Sequence, residues 1–173
     1  MHPQRIALLQ AMPIFGAIST PSLEFLVARA QPIHVPAGAS FFRQGDDATG
    51  MYVLEQGQVA ICCHRQGRDF ALATLGAGDC FGEMALMDLH PRSASAHAQQ
   101  ACNAIEIKPG DLYALFEQDC AQFALIQMNM GREVCRRLRA ADERLLALQA
   151  GLAGPAASCV GGAGYRACKP ADL

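Results

Sequence analysis

The sequence has no excess of positive charge and no long apolar run. Across 173 residues the formal net charge is −2, and the isoelectric point is near 6.2. Dedicated nucleic-acid-binding proteins use a basic surface to neutralise phosphates, so we expect any anion bound here to be small and held locally. No stretch approaches the roughly 18–20 apolar residues of a membrane span, and the N-terminus lacks a signal-peptide pattern. These absences predict a cytoplasmic protein with no membrane partner.

Closely spaced metal or disulfide ligands are also missing. The eight cysteines contain no CxxC pair and lie mostly in apolar stretches, at positions 62, 63, 80, 102, 120, 135, 159 and 168. This pattern is typical of buried thiols in a reducing compartment. The five histidines form no HxH pair, which disfavours a metal enzyme of the jelly-roll cupin class. We therefore expect no metal.

Helical patterns occur at both ends of the sequence, and strand patterns lie between them. Thr20-Pro21 is a helix-start signal and predicts a helix over 21–30. Short β-prone runs divided by turn signals fill 32–107, and helical patterns return over 111–117 and 119–152. This order predicts an α+β fold, with an antiparallel β-roll or jelly-roll barrel, N-terminal helices and a long C-terminal helix.

The long C-terminal helix carries a heptad-like apolar seam. Its apolar residues recur at steps of 4, 4, 3, 4, 3 and 4, at Met130, Val134, Leu138, Ala141, Leu145, Leu148 and Leu152. A helix over 120–149 would be about 45 Å long at 1.5 Å per residue, longer than a small barrel can cover. We therefore expect a homodimer through this helix, while packing on its own barrel remains the alternative.

One segment has residues that could bind a ligand, and it interrupts the strand region with one predicted turn of helix. The segment is Phe81-Gly82-Glu83-Met84-Ala85-Leu86-Met87. Gly82 permits close backbone approach, and a helix opening at Glu83 would present free amides to an anion. Pro91-Arg92-Ser93-Ala94 follows, and Arg92 would add a cation with forked donors. Glu83 would repel a phosphate unless it faces a hydroxyl. A 3′,5′-cyclic nucleotide offers both groups, whereas an ordinary Glu83–Arg92 ion pair around a turn is the alternative.

These two runs resemble the phosphate-binding cassette of the cyclic-nucleotide-binding family, which includes catabolite activator proteins, protein kinase A regulatory subunits and nucleotide-gated channels. The resemblance covers roughly residues 8 to 150, with turn glycines where the family's β-roll has them, at Gly38, Gly45, Gly57 and Gly78. It implies that Glu83 accepts from the ribose 2′-OH and that Arg92 pairs with the exocyclic phosphate oxygens. It also implies that the same site is lined by Gly82, Met84, Ala85, Ser93 and Ala94. Serine after the arginine favours cAMP over cGMP in this family.

The base end of the site departs from the family. In bacterial members, hydroxyl residues of the long helix meet the adenine across a dimer, but residues 136–142 contain no Ser or Thr. Asp142 and Arg139 are the candidates to approach the base, and a solvated charged helix face is the alternative. This departure leaves cGMP, cyclic di-GMP or lost nucleotide binding open. Lost binding would leave a scaffold or dimerisation module of the same fold.

The expected organisation is a stand-alone module. We expect 8–150 to form the nucleotide-binding domain and 151–173, rich in Gly, Ala, Pro and Ser, to be a disordered tail. The tail lacks the periodicity of a DNA-recognition helix, so no DNA partner is expected. The expected function is non-enzymatic: ligand binding repacks the C-terminal helices and signals to a second subunit or an unidentified downstream protein.

Overall fold

The structure is a computed structural model and describes residues 3–149 and residue 151. Five α-helices and one short 3-10 helix lie in the described chain: α1 Pro3–Ala11, the 3-10 helix Pro13–Phe15, α2 Thr20–Arg29, α3 Met84–Met87, α4 Pro109–Gln118 and α5 Cys120–Gln149. The predicted α2 begins one residue earlier than expected, because the Ser19 hydroxyl accepts a hydrogen bond from the Ser22 amide and caps it. The predicted tail, apart from residue 151, lies outside the described residues.

The strands form two four-stranded sheets. Their bounds are β1 Gln31–Val35, β2 Ser40–Phe42, β3 Met51–Gln56, β4 Val59–Arg65, β5 Arg68–Leu75, β6 Cys80–Phe81, β7 Ser95–Ala98 and β8 Cys102–Ile107. One sheet has the order β1-β8-β3-β6 and the other β2-β7-β4-β5, and the pairings are antiparallel. The α+β antiparallel roll is therefore confirmed, although the two sheets do not close into a barrel.

Two apolar clusters hold these layers together. The larger one joins α1, α2, α4 and the first half of α5 to the first sheet, through residues such as Leu9, Leu23, Ile105, Leu115 and Met130. The smaller one lies between the sheets and includes Leu54, Val59, Phe81 and Ala96. Gly82 and Glu83 directly follow Phe81, so the predicted site is anchored at the edge of the inter-sheet core.

The second half of α5 leaves this core. The buried residues of α5 are Ile126, Asn129 and Met130, all in its first half. Met130 therefore packs within its own chain and does not belong to the predicted intermolecular seam. Farther along, Leu138 is 59% exposed and Leu148 is 74% exposed. The first half of α5 therefore packs on its own domain, and the apolar face of the second half is uncovered.

Within residues 3–149 and 151, no helix combines the length and apolar character needed to cross a membrane.

Candidate functional site

The expected one-turn helix is present between β6 and β7. Gly82 follows β6 with φ of +82°, and α3 begins two residues later at Met84. A Cβ atom at position 82 would lie 2.6 Å from Arg92 Nη1, so glycine is required both for the backbone conformation and for the close approach of Arg92. The local chain therefore places the start of α3 directly against the guanidinium.

Arg92 is buried and is held by backbone carbonyls. Its side chain donates from Nη1 to Gly82 O at 2.8 Å and from Nη2 to Gly50 O at 2.6 Å. The guanidinium carbon also lies 4.1 Å from the centre of the Phe42 ring, a cation–π distance. No carboxylate of the described chain lies within ion-pair distance of this guanidinium, so a simple Glu83–Arg92 ion pair is the wrong interpretation of the motif.

Glu83 pairs instead with the long helix. The carboxylate is 1% exposed, and its Oε1 accepts from Arg137 Nη1 at 2.6 Å. Arg137 also donates to Cys80 O at 3.1 Å and, through Nε, to Glu133 Oε1 at 3.1 Å. Arg137 was not predicted as a site residue, because the sequence of 136–142 has the pattern of a solvated charged helix face. The one available signal was chemical: a buried Glu83 needs a cation, and that cation is not Arg92.

The two arginines differ in their counter-charges. Burial lowers the pKa of the Arg92 guanidinium, because desolvation penalises its charged form, and Tyr52 and Glu106 oppose this shift. Burial also acts to lower the pKa of Arg137, but the charges of Glu83 and Glu133 outweigh it and the pKa is raised overall. Arg137 therefore has its counter-ion, whereas Arg92 is a buried cation that an incoming anion would stabilise.

Two buried side-chain atoms at this site have no hydrogen-bond partner: Glu83 Oε2 and Arg92 Nε. No other buried side-chain nitrogen or oxygen of the described chain lacks one. Unpartnered buried polar groups are costly and call for an explanation such as a missing ligand. One atom is an acceptor and the other a donor, which matches a ligand that carries both a hydroxyl and an anion.

The remaining predicted residues divide into two groups. Ala85 and Ala94 are buried beside the site, while Met84 and Ser93 are exposed at its rim. The structure thus brings the segments 82–85 and 92–94 together. Asp142 is exposed on α5, and it forms no hydrogen bond or ion pair with the residues of this site in the described chain. The described residues also include no cluster of three or more potential metal ligands.

Comparison with known proteins agrees with this geometry. Residues 32–119 match the model of the cyclic nucleotide-binding domain. Among curated proteins, the cyclic AMP receptor protein of Thermus thermophilus is 31% identical over 142 residues, which cover 79% of this chain and 62% of that protein. The chain therefore spans less than two thirds of this relative's length.

Solved structures give the same result. The catabolite activator protein of T. thermophilus superposes with a TM-score of 0.70 at 32% identity, covering 79% of this chain and 63% of that one. The regulatory domain of Toxoplasma gondii protein kinase A, solved with cAMP, gives a TM-score of 0.63 at 25% identity, covering 65% of this chain and 43% of that one. The fold and the family match agree, and the chain belongs to the cyclic nucleotide-binding domain family.

Proposed function

We propose that this chain is a sensor of 3′,5′-cyclic AMP. The observation that carries the proposal is the pair of unpartnered buried atoms, Glu83 Oε2 and Arg92 Nε, on two segments that meet at Gly82. Two relatives support the choice of nucleotide, since one is named a cyclic AMP receptor protein and another was solved with cAMP. Ser93 after the arginine favours the same ligand, as the family resemblance implies.

In this proposal the nucleotide satisfies both groups. Arg92 pairs with the exocyclic phosphate oxygens, which restores a counter-charge to a desolvated cation. Glu83 accepts from the ribose 2′-OH, the one free hydroxyl of a cyclic nucleotide. The rest of the site is formed by Gly82, Met84, Ala85, Ser93 and Ala94, and Asp142 or Arg139 approaches the base. No residue has a catalytic role and no metal takes part.

The proposed signal passes from the site to α5. Glu83 Oε1 already binds Arg137 of that helix, so a hydroxyl that engages the same carboxylate changes the contacts available to Arg137. An apolar groove of about 300 Å³ lies between α3, α4 and α5. Its lining includes Leu86, Leu112, Tyr113, Phe123 and Met130. Movement of α3 toward a bound phosphate would repack this groove and shift α4 and α5 between two arrangements.

The proposed setting is cytoplasmic, and the proposed domain is 8–150. The signal goes to a second copy through α5 and to a downstream protein of unknown identity. A non-binding scaffold is the second candidate. It is favoured by the carbonyls of Gly82 and Gly50, each of which already accepts one N–H from a terminal nitrogen of Arg92.

The ribose contact can be tested with cAMP and 2′-deoxy-cAMP. The wild-type chain should bind cAMP about 10- to 100-fold more tightly than 2′-deoxy-cAMP, because a hydrogen bond to a charged group contributes about 1.5–3 kcal/mol. In Glu83→Gln the acceptor is neutral, and we expect the ratio to fall to about tenfold or less. Competition against a fluorescent cAMP analogue measures both ratios.

Glu143→Gln is the matched control, because Glu143 is an exposed glutamate of α5; its ratio should equal that of the wild type. Equal affinity of the wild type for the two nucleotides would contradict the role of Glu83. Displacement of the analogue by cGMP or cyclic di-GMP in preference to cAMP would identify a different ligand, and no binding of any nucleotide would favour the scaffold.

A further inference from the structure

Glu106 is a buried carboxylate of β8 to which the proposed function assigns no role. The residue is 7% exposed, and it lies opposite Tyr52 of β3 in the first sheet. Its Oε2 faces Lys108 Nζ at 3.9 Å, whereas its Oε1 accepts hydrogen bonds from inside the domain. Burying a carboxylate is costly unless it is paired and hydrogen-bonded, so the groups that its oxygens bind indicate what it does.

The two donors to Glu106 Oε1 lie on either side of Gly50 in the chain. Thr49 Oγ1 donates at 3.0 Å and Tyr52 Oη at 3.1 Å. Gly50 itself packs on the same side chain, because a Cβ atom at position 50 would lie 2.9 Å from Glu106 Cγ. Glu106 therefore holds the backbone of residues 49–52 at both ends and in the middle.

The segment 49–52 carries one of the two carbonyls that bind Arg92. Gly50 O accepts from Arg92 Nη2 at 2.6 Å, and Gly82 O accepts from Nη1 at 2.8 Å. Fixed acceptors on two different nitrogens leave a planar guanidinium little freedom to rotate. The centre of the Tyr52 ring also lies 5.9 Å from Arg92 Cζ. The orientation of Arg92 thus depends on where Glu106 holds Gly50 O.

The two carbonyls leave donors of Arg92 free for a ligand. A guanidinium has five N–H groups, and the carbonyls of Gly50 and Gly82 accept one each. Among the others, the N–H of Nε has no partner in the described chain. A cation that is already held in place loses less conformational entropy when an anion binds. A fixed Arg92 should therefore bind a phosphate more tightly than a mobile one.

The indirect contact between Glu106 and Arg92 suits this task. No carboxylate of residues 3–149 forms an ion pair with Arg92. A carboxylate in direct contact would compete with the phosphate for the guanidinium. Glu106 acts through a carbonyl and two hydroxyls instead, so it can orient the cation and leave its charge for the ligand.

We propose that Glu106 is a positioning residue of the nucleotide site, which aims the Arg92 guanidinium at the phosphate by holding Gly50 O. The proposal rests on the proposed function, because the phosphate is that of the cyclic nucleotide. Glu106 itself touches no ligand. Its effect reaches the site through the hydroxyls of Thr49 and Tyr52.

The order of the Arg92 side chain tests this role without any ligand. ¹⁵N relaxation of the arginine Nε–H groups gives an order parameter for each guanidinium, and the Arg92 signal is assigned by its absence from Arg92→Lys. In the wild type we expect about 0.8 for Arg92, and in Glu106→Ala about 0.6 or less. Arg137 is the internal reference, because Glu83 and Glu133 hold it independently, and its value should not change.

Three more variants make the result specific. Glu106→Gln retains an oxygen that accepts from both hydroxyls, so it should restore most of the order at Arg92. Tyr52→Phe retains the ring beside Arg92 but loses one donor, and its value should lie between those of Glu106→Ala and the wild type. Glu55→Ala is the matched control, since it removes a largely buried carboxylate of β3 that binds Arg5. It should leave Arg92 unchanged.

Nucleotide affinity supplies the second readout. Glu106→Ala should weaken binding of a fluorescent cAMP analogue about three- to tenfold, because binding must then order a long side chain. The preference for cAMP over 2′-deoxy-cAMP should stay at the wild-type ratio, since that ratio depends on Glu83. Glu106→Gln should recover most of the lost affinity, and Glu55→Ala should bind as the wild type does.

The outcomes separate the two proposals. A wild type that binds no cyclic nucleotide overturns the proposed function, while relaxation still decides whether Glu106 orients Arg92. Unchanged order at Arg92 in Glu106→Ala overturns the positioning role, as does an equal loss of order at Arg92 and Arg137, which would show general loosening. Wild-type cAMP affinity in Glu106→Ala also overturns it. Circular dichroism checks folding, and if Glu106→Ala does not fold, Tyr52→Phe decides by the same criteria.

Discussion

Arg92→Ala should remove most of the affinity for cAMP, a loss of about 2–5 kcal/mol. The guanidinium is the buried cation nearest the start of α3, and without it a desolvated phosphate would have no counter-charge. Titration calorimetry of the folded variant measures the loss. The same substitution releases the carbonyls of Gly82 and Gly50, so circular dichroism must show that the variant is folded under the conditions of the titration.

Two further variants make this result specific. Arg43→Ala removes an exposed arginine near the site and should leave the affinity unchanged. Arg92→Lys retains a positive charge but loses the forked donors, so its affinity should lie between those of Arg92→Ala and the wild type. Wild-type affinity in a folded Arg92→Ala protein would mean that the phosphate binds elsewhere.

Arg137→Ala should lower the free energy of unfolding by about 2–3 kcal/mol. Removing one partner of a buried ion pair costs about 3–5 kcal/mol. We expect less here because Arg137 is 37% exposed and solvent screens part of the interaction. Glu83 would be left as a nearly fully buried carboxylate with no cation. Urea unfolding at one fixed protein concentration measures the change.

A double substitution isolates the pair. In Arg137→Ala/Glu83→Gln no buried charge is left unpaired, so much of the lost stability should return. Arg139→Ala, which removes an exposed arginine of the same helix, should cost about 0.5 kcal/mol or less. Equal destabilisation by Arg137→Ala and Arg139→Ala would contradict a structural role for the Glu83–Arg137 pair.

Local sequence signals predicted the parts of the molecule that local geometry determines. Gly82, with φ of +82°, and the short helix after it were predicted because glycine followed by a helical turn inside a strand region is unusual. The alternation of short β-prone runs with turn signals likewise predicted the antiparallel roll. The two-residue strand β6 was not predicted, since two residues give no periodicity.

Contacts between distant segments could not be predicted in this way. Glu83 and Arg137 are 54 positions apart, and nothing near either residue indicates the other. Met130 fits the heptad spacing of the seam, yet it is buried against its own domain, because spacing on a helix does not tell which chain covers the face. Whether two sheets close into a barrel depends on strand order, which a pattern of short strands leaves undetermined.

Calorimetric titration of cAMP into the wild-type chain shows whether this protein binds the nucleotide at all. We expect saturable binding of about one nucleotide per chain, because each domain has a single Glu83–Arg92 site. No heat at two temperatures, together with no displacement of a fluorescent cAMP analogue, would contradict it.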